Sequence, residues 1–280
     1  MGSYAPKNSV QNGARKSLSG PLRQGGRSGI KNRMSDLFRN SLFKVDRAKK
    51  HIADLNAAVL ALQDSYASSV EHNSETGVVS LKFDSPVADH LITEIALILG
   101  DAIHNLRTSL DYAWVAALHK INPAIADRYT KFPFRNTLQE LDAAMNGRNI
   151  NVVAPVLFNG MRNDIKPYRG GDDSLFRLHE LDIADKHLLL TPVVSYSSIS
   201  GGTVEDETGR LHDLNTIGIH GDGPFYVTFV PGYKIKDHGH ISVNVLFDQG
   251  AAVPQWEVLS VLQPLPFQVT NVLTKIDSWI

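Results

Sequence analysis

The chain has 280 residues, a formal net charge of −1 at pH 7 and no cysteine. Its content of 42% hydrophobic and 20% charged residues is typical of a folded globular protein with one large or two modest domains. The near-neutral charge argues against nucleic-acid binding by the whole surface. The lack of cysteine excludes disulfides, thiolate metal sites and a cysteine nucleophile.

The sequence contains no apolar segment that predicts a membrane span or an export signal. The longest apolar runs are far shorter than the ~20 residues of a membrane-spanning helix. The N-terminus also lacks the apolar centre of a signal peptide. We therefore expect a cytoplasmic protein with no membrane partner.

Residues 1–33 are predicted to form a disordered basic tail. Lysines and arginines occur throughout this region, glycine and serine separate them, and the first acidic residue is Asp36. Such a segment buries too little apolar surface to offset the entropy lost on ordering. A phosphate-binding arm and an organelle transit peptide are the other interpretations of this composition.

Residues 34–189 are predicted to form a helical domain with a β-hairpin near 67–84. Apolar residues recur every three or four positions over 35–66 and 87–120, which predicts two long helices. NSETG (73–77) is a turn sequence before the strand VVSLKF (78–83). The less regular part, 121–173, contains an extended aromatic anchor, KFPF (131–134), and a short helix capped by Thr137. A third substantial helix is expected to start near Ser174.

Residues 190–280 are predicted to form an antiparallel β-sheet region with a C-terminal helix near 266–280. Turn residues separate five short β-rich runs: TPVVSYSS, TIGIH, FYVTFV, ISVNVLF and WEVLSVL. They predict one sheet of four or five strands and an α+β fold. The change near residue 190 is either a domain boundary or the start of the second layer of one domain.

The stretch GDAIHNLRTSLDY (100–112) carries an unusual concentration of polar residues for a helix with a core-facing stripe. At about 100° per residue, one side is apolar and the other is polar, with Arg107 at its margin. The polar side is formed by Asp101, His104, Asn105, Thr108 and Asp111. Because apolar residues continue this side in both directions, we expect a polar patch in a partly buried surface, with partners from elsewhere in the chain.

The best candidates for those partners lie near the end of the third helix. They are Asp182, Asp185, Lys186 and His187. We hypothesise that this segment faces the polar side of the second helix. In that arrangement Lys186 and His187 either bond the last carbonyls of their own helix or meet Asp101 or Asp111.

The two motif segments also resemble sequences of known families. LILGDAIHNLRTSLDYAW, KFPF and LHELDIADKHLLLTPV together resemble a widespread bacterial family with GDxxHNLR[ST]xLD and LxxxDKH motifs and no assigned activity. This resemblance covers about residues 40–200 and implies an architecture, not a reaction. A weaker resemblance is to HEPN helical domains, many of which are metal-independent ribonucleases. Those carry Arg, four to six residues and then His, whereas here His104 precedes Arg107.

Three chemical interpretations of the polar motifs remain open. In the first, the motifs form a structural hydrogen-bond network in which Arg107 pairs with Asp111. In the second, His104 or His187 carries a proton, tuned by Asp101 or Asp111, while Arg107, Lys186, Asn105 and Asp185 bind the ligand. The third is a divalent metal site. Its candidate ligands are Asp101, His104, Asp111, Asp185 and His187.

The expected function follows the second interpretation. It is binding or processing of a phosphate-bearing ligand, such as a nucleotide or RNA, at a polar site between two helices, with no cofactor predicted. The rival is a non-catalytic interaction protein that forms a homodimer through its helical part. The third possibility is a metal-dependent hydrolase.

Overall fold

The computed structural model describes residues 36–84, 89–187, 189–190, 192–215, 225–248 and 253–280. The basic region at residues 1–33 and the run TIGIH, residues 216–220, lie outside the described residues.

Two long antiparallel helices form the centre of the fold. They are α1 (Arg39–Asp64) and α2 (Asp89–Ile121), close to the bounds that the periodicity predicts. Their antiparallel register is visible in two hydrogen bonds. The Ser109 hydroxyl donates to the Ser41 carbonyl over 2.9 Å, and Lys44 Nζ donates to Asn105 Oδ1 over 3.1 Å.

The predicted apolar side of α2 is the core of the helical part. Its members are all at most 1% exposed: Leu99, Ala102, Ile103, Leu106, Leu110, Ala113, Trp114 and Ala117. Removing a leucine or isoleucine side chain from water contributes about 1.5–3 kcal/mol, so this stripe holds α2 against its neighbours. Those neighbours include α6 (Asp173–His187) and the closing helix α8 (Leu265–Trp279).

The segment between α2 and α6 contains more helix than predicted. Besides α3 (Leu138–Asn146), it holds α4 (Ile150–Val153), α5 (Pro155–Gly160) and a π-helical turn, Met161–Ile165. The predicted cap of α3 is confirmed, because Thr137 Oγ1 accepts a hydrogen bond from the Glu140 N–H over 3.1 Å.

The predicted hairpin is present as β1 (Ala67–His72) and β2 (Val79–Asp84). The two strands pair antiparallel from Ala67 opposite Asp84 to His72 opposite Val79. The turn ends at Gly77, whose φ of +71° lies in the left-handed region that glycine adopts without strain.

The later strands are distributed over three small antiparallel sheets. They are β3 (Pro192–Ser200), β4 (Gly202–Glu205), β5 (Leu211–Leu214), β6 (Phe225–Phe229), β7 (Lys234–Asp237) and β8 (His240–Phe247). The sheet orders are β1-β2-β6, β3-β8 and β5-β4-β7. The α+β class is confirmed, but the expectation of one sheet of four or five strands was wrong, since β6 joins the hairpin.

The run WEVLSVL does not form the predicted strand. It carries the short helix α7 (Val258–Leu262) instead. The carboxylate of Glu257 caps this helix by accepting hydrogen bonds from the N–H groups of Leu259 and Ser260. Val258 and Leu262, four residues apart, are fully buried on one face. Capping and packing therefore outweigh the β-propensity of the run.

Candidate functional site

Helix α6 lies directly against the polar part of α2, so the two motif segments face each other as hypothesised. At Gly100 of α2, an added Cβ would lie 2.6 Å from both carboxylate oxygens of Asp185 on α6. A residue with a side chain at this point would require the Asp185 carboxylate to shift. Glycine in the middle of a helix costs about 0.5–1 kcal/mol relative to alanine, a cost that accompanies this close contact.

The buried carboxylate of Asp182 is the central acceptor between the two helices. Its side chain is 3% exposed, and its two oxygens accept from different donors. Oδ1 lies 3.2 Å from Nδ1 of His104, and Oδ2 accepts from Nζ of Lys186 one turn later on α6. Burial of a carboxylate is unfavourable unless it is paired, and these two donors supply the pairing.

The contact with Asp182 fixes the orientation and the tautomer of the His104 ring. An ionised carboxylate only accepts hydrogen bonds, so Nδ1 carries the proton and Nε2 of the neutral ring is an acceptor. Nε2 lies 3.3 Å from the Thr108 hydroxyl. The His104 side chain is 54% exposed, so solvent or a ligand reaches the imidazole.

Acidic side chains from both α2 and α6 lie near His104. Burial raises the pKa of the Asp185 carboxyl, the charges of Asp182 and Asp101 act in the same direction, and the Leu190 backbone N–H opposes them. Lys186 pairs with Asp182, so the carboxylates of Asp101 and Asp185 are the ones beside His104 that disfavour an anionic group. A phosphate near His104 therefore needs cations in addition to Lys186.

Part of the predicted polar side is buried and serves the packing of helices. Asn105 is 8% exposed, and its amide donates to the Asp101 carbonyl over 2.7 Å while its oxygen accepts from Lys44 on α1. Asp101 and His104, by contrast, are exposed. The expectation of one partly buried patch thus holds for only part of the polar side of α2.

Arg107 and Asp111 form the predicted ion pair one helical turn apart. Arg107 NH1 donates to Asp111 Oδ1, and the guanidinium side chain is 6% exposed. The same carboxylate oxygen accepts from the Phe132 N–H over 2.7 Å. Asp111 therefore joins α2 to KFPF, the aromatic anchor, and Arg107 is an interior residue.

A further histidine, His179, which the sequence did not single out, lies partly buried against the aromatic anchor. The Arg107 guanidinium lies 4.8 Å from the centroid of Phe134. The His179 ring stacks on the same phenyl ring at 4.6 Å, with an angle of 6° between the planes. Burial, followed by the positive charge of Arg107, lowers the pKa of His179 from 6.5 to about 4.

The lowered pKa of this partly buried histidine predicts a loss of stability in mild acid. The unfolded chain protonates His179 near pH 6.5, whereas the folded protein resists protonation until about pH 4. Stability from the neutral ring is therefore complete above pH 6.5 and decreases as the pH falls towards 4. We expect His179→Phe, which keeps the stacked ring, to reduce this decrease in chemical denaturation curves recorded from pH 7 to pH 4.

The matched control for that measurement is His119→Phe, which changes an exposed histidine of α2. The control is expected to follow the wild-type pH profile. An identical decrease in the wild type and in His179→Phe would contradict the assignment of the effect to His179.

Not every predicted site residue makes the contact that was expected of it. His187 is exposed at the end of α6 and makes no hydrogen bond or ion pair with any residue that the structure describes. Lys186 pairs with Asp182, not with Asp101 or Asp111. Within the described ranges, no three histidine or acidic side chains are arranged to hold a metal ion.

A groove begins where the polar side of α2 meets the segment before the aromatic anchor. This α1–α2 groove has a volume of about 540 Å³. Its lining includes Asn40, Thr108, Asp111, Tyr112, Asp127, Arg128, Thr130 and Lys131. Thr108 is thus shared between the groove and His104 Nε2.

No family model, curated protein or solved structure matches the chain. The resemblance to the bacterial family and the weaker one to HEPN domains therefore remain predictions. None of the helices in the described part of the chain has the length and apolar character needed to cross a membrane.

The groove residues Arg128 and Lys131 were missed because they lie in the irregular part of the sequence. Neither belongs to a helix or strand, and no periodicity places them beside α2. A signal was nevertheless present in KFPF, because Lys131 begins that motif and Phe132 is tied to Asp111. An anchored aromatic next to a cation places that cation at a defined position.

Proposed function

We propose that the chain is an acid–base catalyst that acts on a phosphate-bearing ligand, with RNA as the expected substrate. The observation that carries the proposal is the exposed His104 imidazole held by the buried Asp182 carboxylate. Such a pairing leaves Nε2 as a proton acceptor directed away from the carboxylate. General acid–base groups in enzymes are commonly histidines oriented in this way.

The choice of a phosphate-bearing ligand is supported by the α1–α2 groove. Lys131 and Arg128 both line it, and neither forms an ion pair with any residue in the described ranges. Arginine and lysine are the usual partners of phosphate oxygens. Thr108 connects these cations to the histidine, because it lines the groove and lies beside Nε2.

The proposed reaction on RNA needs one base and no bound cofactor. Nε2 of His104 takes the proton of a ribose 2′-hydroxyl while the 2′-oxygen forms a bond to phosphorus. The bond from phosphorus to the 5′-oxygen breaks, and that oxygen takes a proton from water. The products are a 2′,3′-cyclic phosphate and a free 5′-hydroxyl, and His104 returns its proton to water.

The test is cleavage of a labelled single-stranded RNA oligonucleotide in the presence of a metal chelator. We expect the wild type to produce fragments with 2′,3′-cyclic phosphate ends and His104→Gln to produce none above the buffer blank. DNA of the same sequence stays intact because it lacks the 2′-hydroxyl. His119→Gln, an exposed histidine near the end of the same helix, is the control.

Three results would contradict the proposal. One is no cleavage by the wild type, and another is equal cleavage by the wild type and His104→Gln. The third is cleavage that requires added divalent metal, which would favour the metal-dependent hydrolase.

We also infer a structural role for the buried half of the polar side. Asn105 and Arg107 are 8% and 5% exposed, and each is bonded to a neighbouring element. Buried polar groups that are paired in this way specify how helices meet. The network interpretation thus fits Asn105, Arg107 and Asp111, while the catalytic one fits His104 and Asp182.

A further inference from the structure

The α1–α2 groove has the size and the side chains of a site for a small ligand. Its volume of about 540 Å³ lies within the range of about 300–1,000 Å³ that is usual for ligand pockets. Its cations are Arg128 and Lys131, the first residue of the aromatic anchor. Asp111 and Tyr112 of α2 add a carboxylate and a phenol, and Asp127 adds a second carboxylate.

We propose that this groove binds one nucleoside monophosphate unit, with the phosphate at Lys131 and Arg128 and the base against Tyr112. The proposal rests on the proposed function for the class of ligand, but binding in the groove is a separate property that is measured without turnover.

A compact turn holds the backbone that carries Arg128, whose guanidinium lies over the Tyr129 ring and donates to the Tyr129 hydroxyl. The Asp127 carboxylate accepts from the Tyr129 N–H over 2.8 Å and from the Thr130 hydroxyl over 3.0 Å. The Thr130 hydroxyl oxygen also accepts from the Asp127 N–H over 2.9 Å. These bonds fix the backbone on both sides of Arg128. A preformed turn lowers the entropy lost when a phosphate binds.

The charge balance of the groove favours an anion. Arg107 neutralises Asp111, so Asp127 is the remaining acidic residue among the lining residues in the described part of the chain. Arg128 and Lys131 outnumber it. The Phe132 N–H bond to Asp111 holds the backbone of the neighbouring Lys131 beside α2.

Tyr112 provides the aromatic surface for the base. It lies four residues after Thr108, so both side chains are on the same face of α2. It is 47% exposed although it is a large aromatic residue. An exposed aromatic side chain in a cationic groove is the arrangement that binds unpaired bases by stacking.

Asp111 adds a hydrogen-bond acceptor suited to a sugar. Its Oδ1 accepts both from Arg107 and from the Phe132 N–H, and Oδ2 takes part in neither bond. The side chain is 25% exposed and lines the groove. Oδ2 is therefore available to a ribose hydroxyl that donates a hydrogen bond.

The experiment compares three probes with the purified full chain by isothermal titration and by NMR: 5′-AMP, adenosine and inorganic phosphate. We expect saturable 5′-AMP binding in the millimolar range or tighter. Tyr112→Ala should weaken 5′-AMP and adenosine about tenfold and leave phosphate unchanged. The double variant Arg128→Ala/Lys131→Ala should weaken 5′-AMP and phosphate about tenfold or more and leave adenosine unchanged.

The chain offers matched controls for both changes. Tyr226 on β6 is 45% exposed, so Tyr226→Ala removes a tyrosine of similar exposure outside the groove. Arg210→Ala/Lys234→Ala removes one exposed arginine and one exposed lysine from the β5-β4-β7 region. Both controls are expected to bind all three probes like the wild type, and thermal unfolding of every variant verifies that it is folded.

The inference is overturned if 5′-AMP does not bind up to about 10 mM, or if the groove variants bind like their controls. Those results leave His104-dependent RNA cleavage untouched and so do not contradict the proposed function. The opposite result, selective 5′-AMP binding in the groove without any RNA cleavage, supports the inference and removes the proposed reaction.

Discussion

Replacement of Asp111 by alanine is expected to lower the free energy of unfolding by about 3–5 kcal/mol. The change leaves the guanidinium of Arg107, which is 6% exposed, without its carboxylate partner. It also removes the acceptor of the Phe132 N–H, which ties the aromatic anchor to α2. An unpaired buried charge and an unsatisfied N–H act in the same direction.

Urea denaturation followed by circular dichroism measures this loss. Asp46→Ala is the control, because Asp46 pairs with Lys49 over 3.0 Å at the exposed surface of α1. Such surface pairs contribute about 0–1 kcal/mol. We expect Arg107→Met/Asp111→Ala to recover part of the stability, since the unpaired charge is gone. A loss in Asp111→Ala no larger than in the control would refute the structural role of this pair.

Asp182→Asn is expected to slow the proposed RNA cleavage by about 100- to 10,000-fold. The amide has one accepting oxygen where the carboxylate has two, so Lys186 Nζ and His104 Nδ1 compete for it. The amide N–H₂ also donates to Nδ1 if the ring takes its other tautomer. In that tautomer Nε2 carries the proton and no longer acts as a base.

The effect on stability should be much smaller than the effect on rate, because a neutral amide is easier to bury than a carboxylate. The measurement pairs the cleavage rate with the thermal midpoint for the wild type, Asp182→Asn and Asp142→Asn. Asp142 forms an ion pair with Arg162 away from α2 and serves as the control. A cleavage rate within threefold of the wild type would contradict the positioning role of Asp182.

The elements with a strong local pattern were predictable from the sequence. The buried positions of α1 and α2 follow the three- and four-residue spacing, because only the apolar side of a helix packs on its neighbours. The start of α6 was also readable, since Asp172 accepts from the N–H groups of Ser174 and Leu175. Such caps depend on a few adjacent residues.

Elements that depend on partners far along the chain were harder to predict from the sequence. WEVLSVL has β-forming residues, but Glu257 caps a helix and the core accepts Val258 and Leu262 on one face. No short stretch of sequence predicts that β6 joins the hairpin sheet, because β6 and its partner β2 are far apart along the chain. Periodicity identifies a strand without identifying its neighbour.

The candidate site was predicted as two segments but not as a geometry. Solvent exposure differs along the polar side of α2, where Asn105 and Arg107 are buried and His104 is exposed. Helical spacing places these residues on one side, but the depth of each depends on how α1 and α6 flank α2. The groove could not be predicted from the sequence, because its cations lie outside any helix or strand and no periodicity places them beside α2.

The pairing of β2 with β6 affects how the protein folds while it is being synthesised. Val79 lies opposite Phe229, so about half of the chain separates these partners. During synthesis the hairpin leaves the ribosome long before β6 exists, and contacts of such separation form slowly. Until then β2 has an unpaired edge and the apolar side chains of Leu81 and Phe83 lack part of their cover. A chaperone would therefore protect this edge and these apolar side chains most while the nascent chain is still shorter than 225 residues.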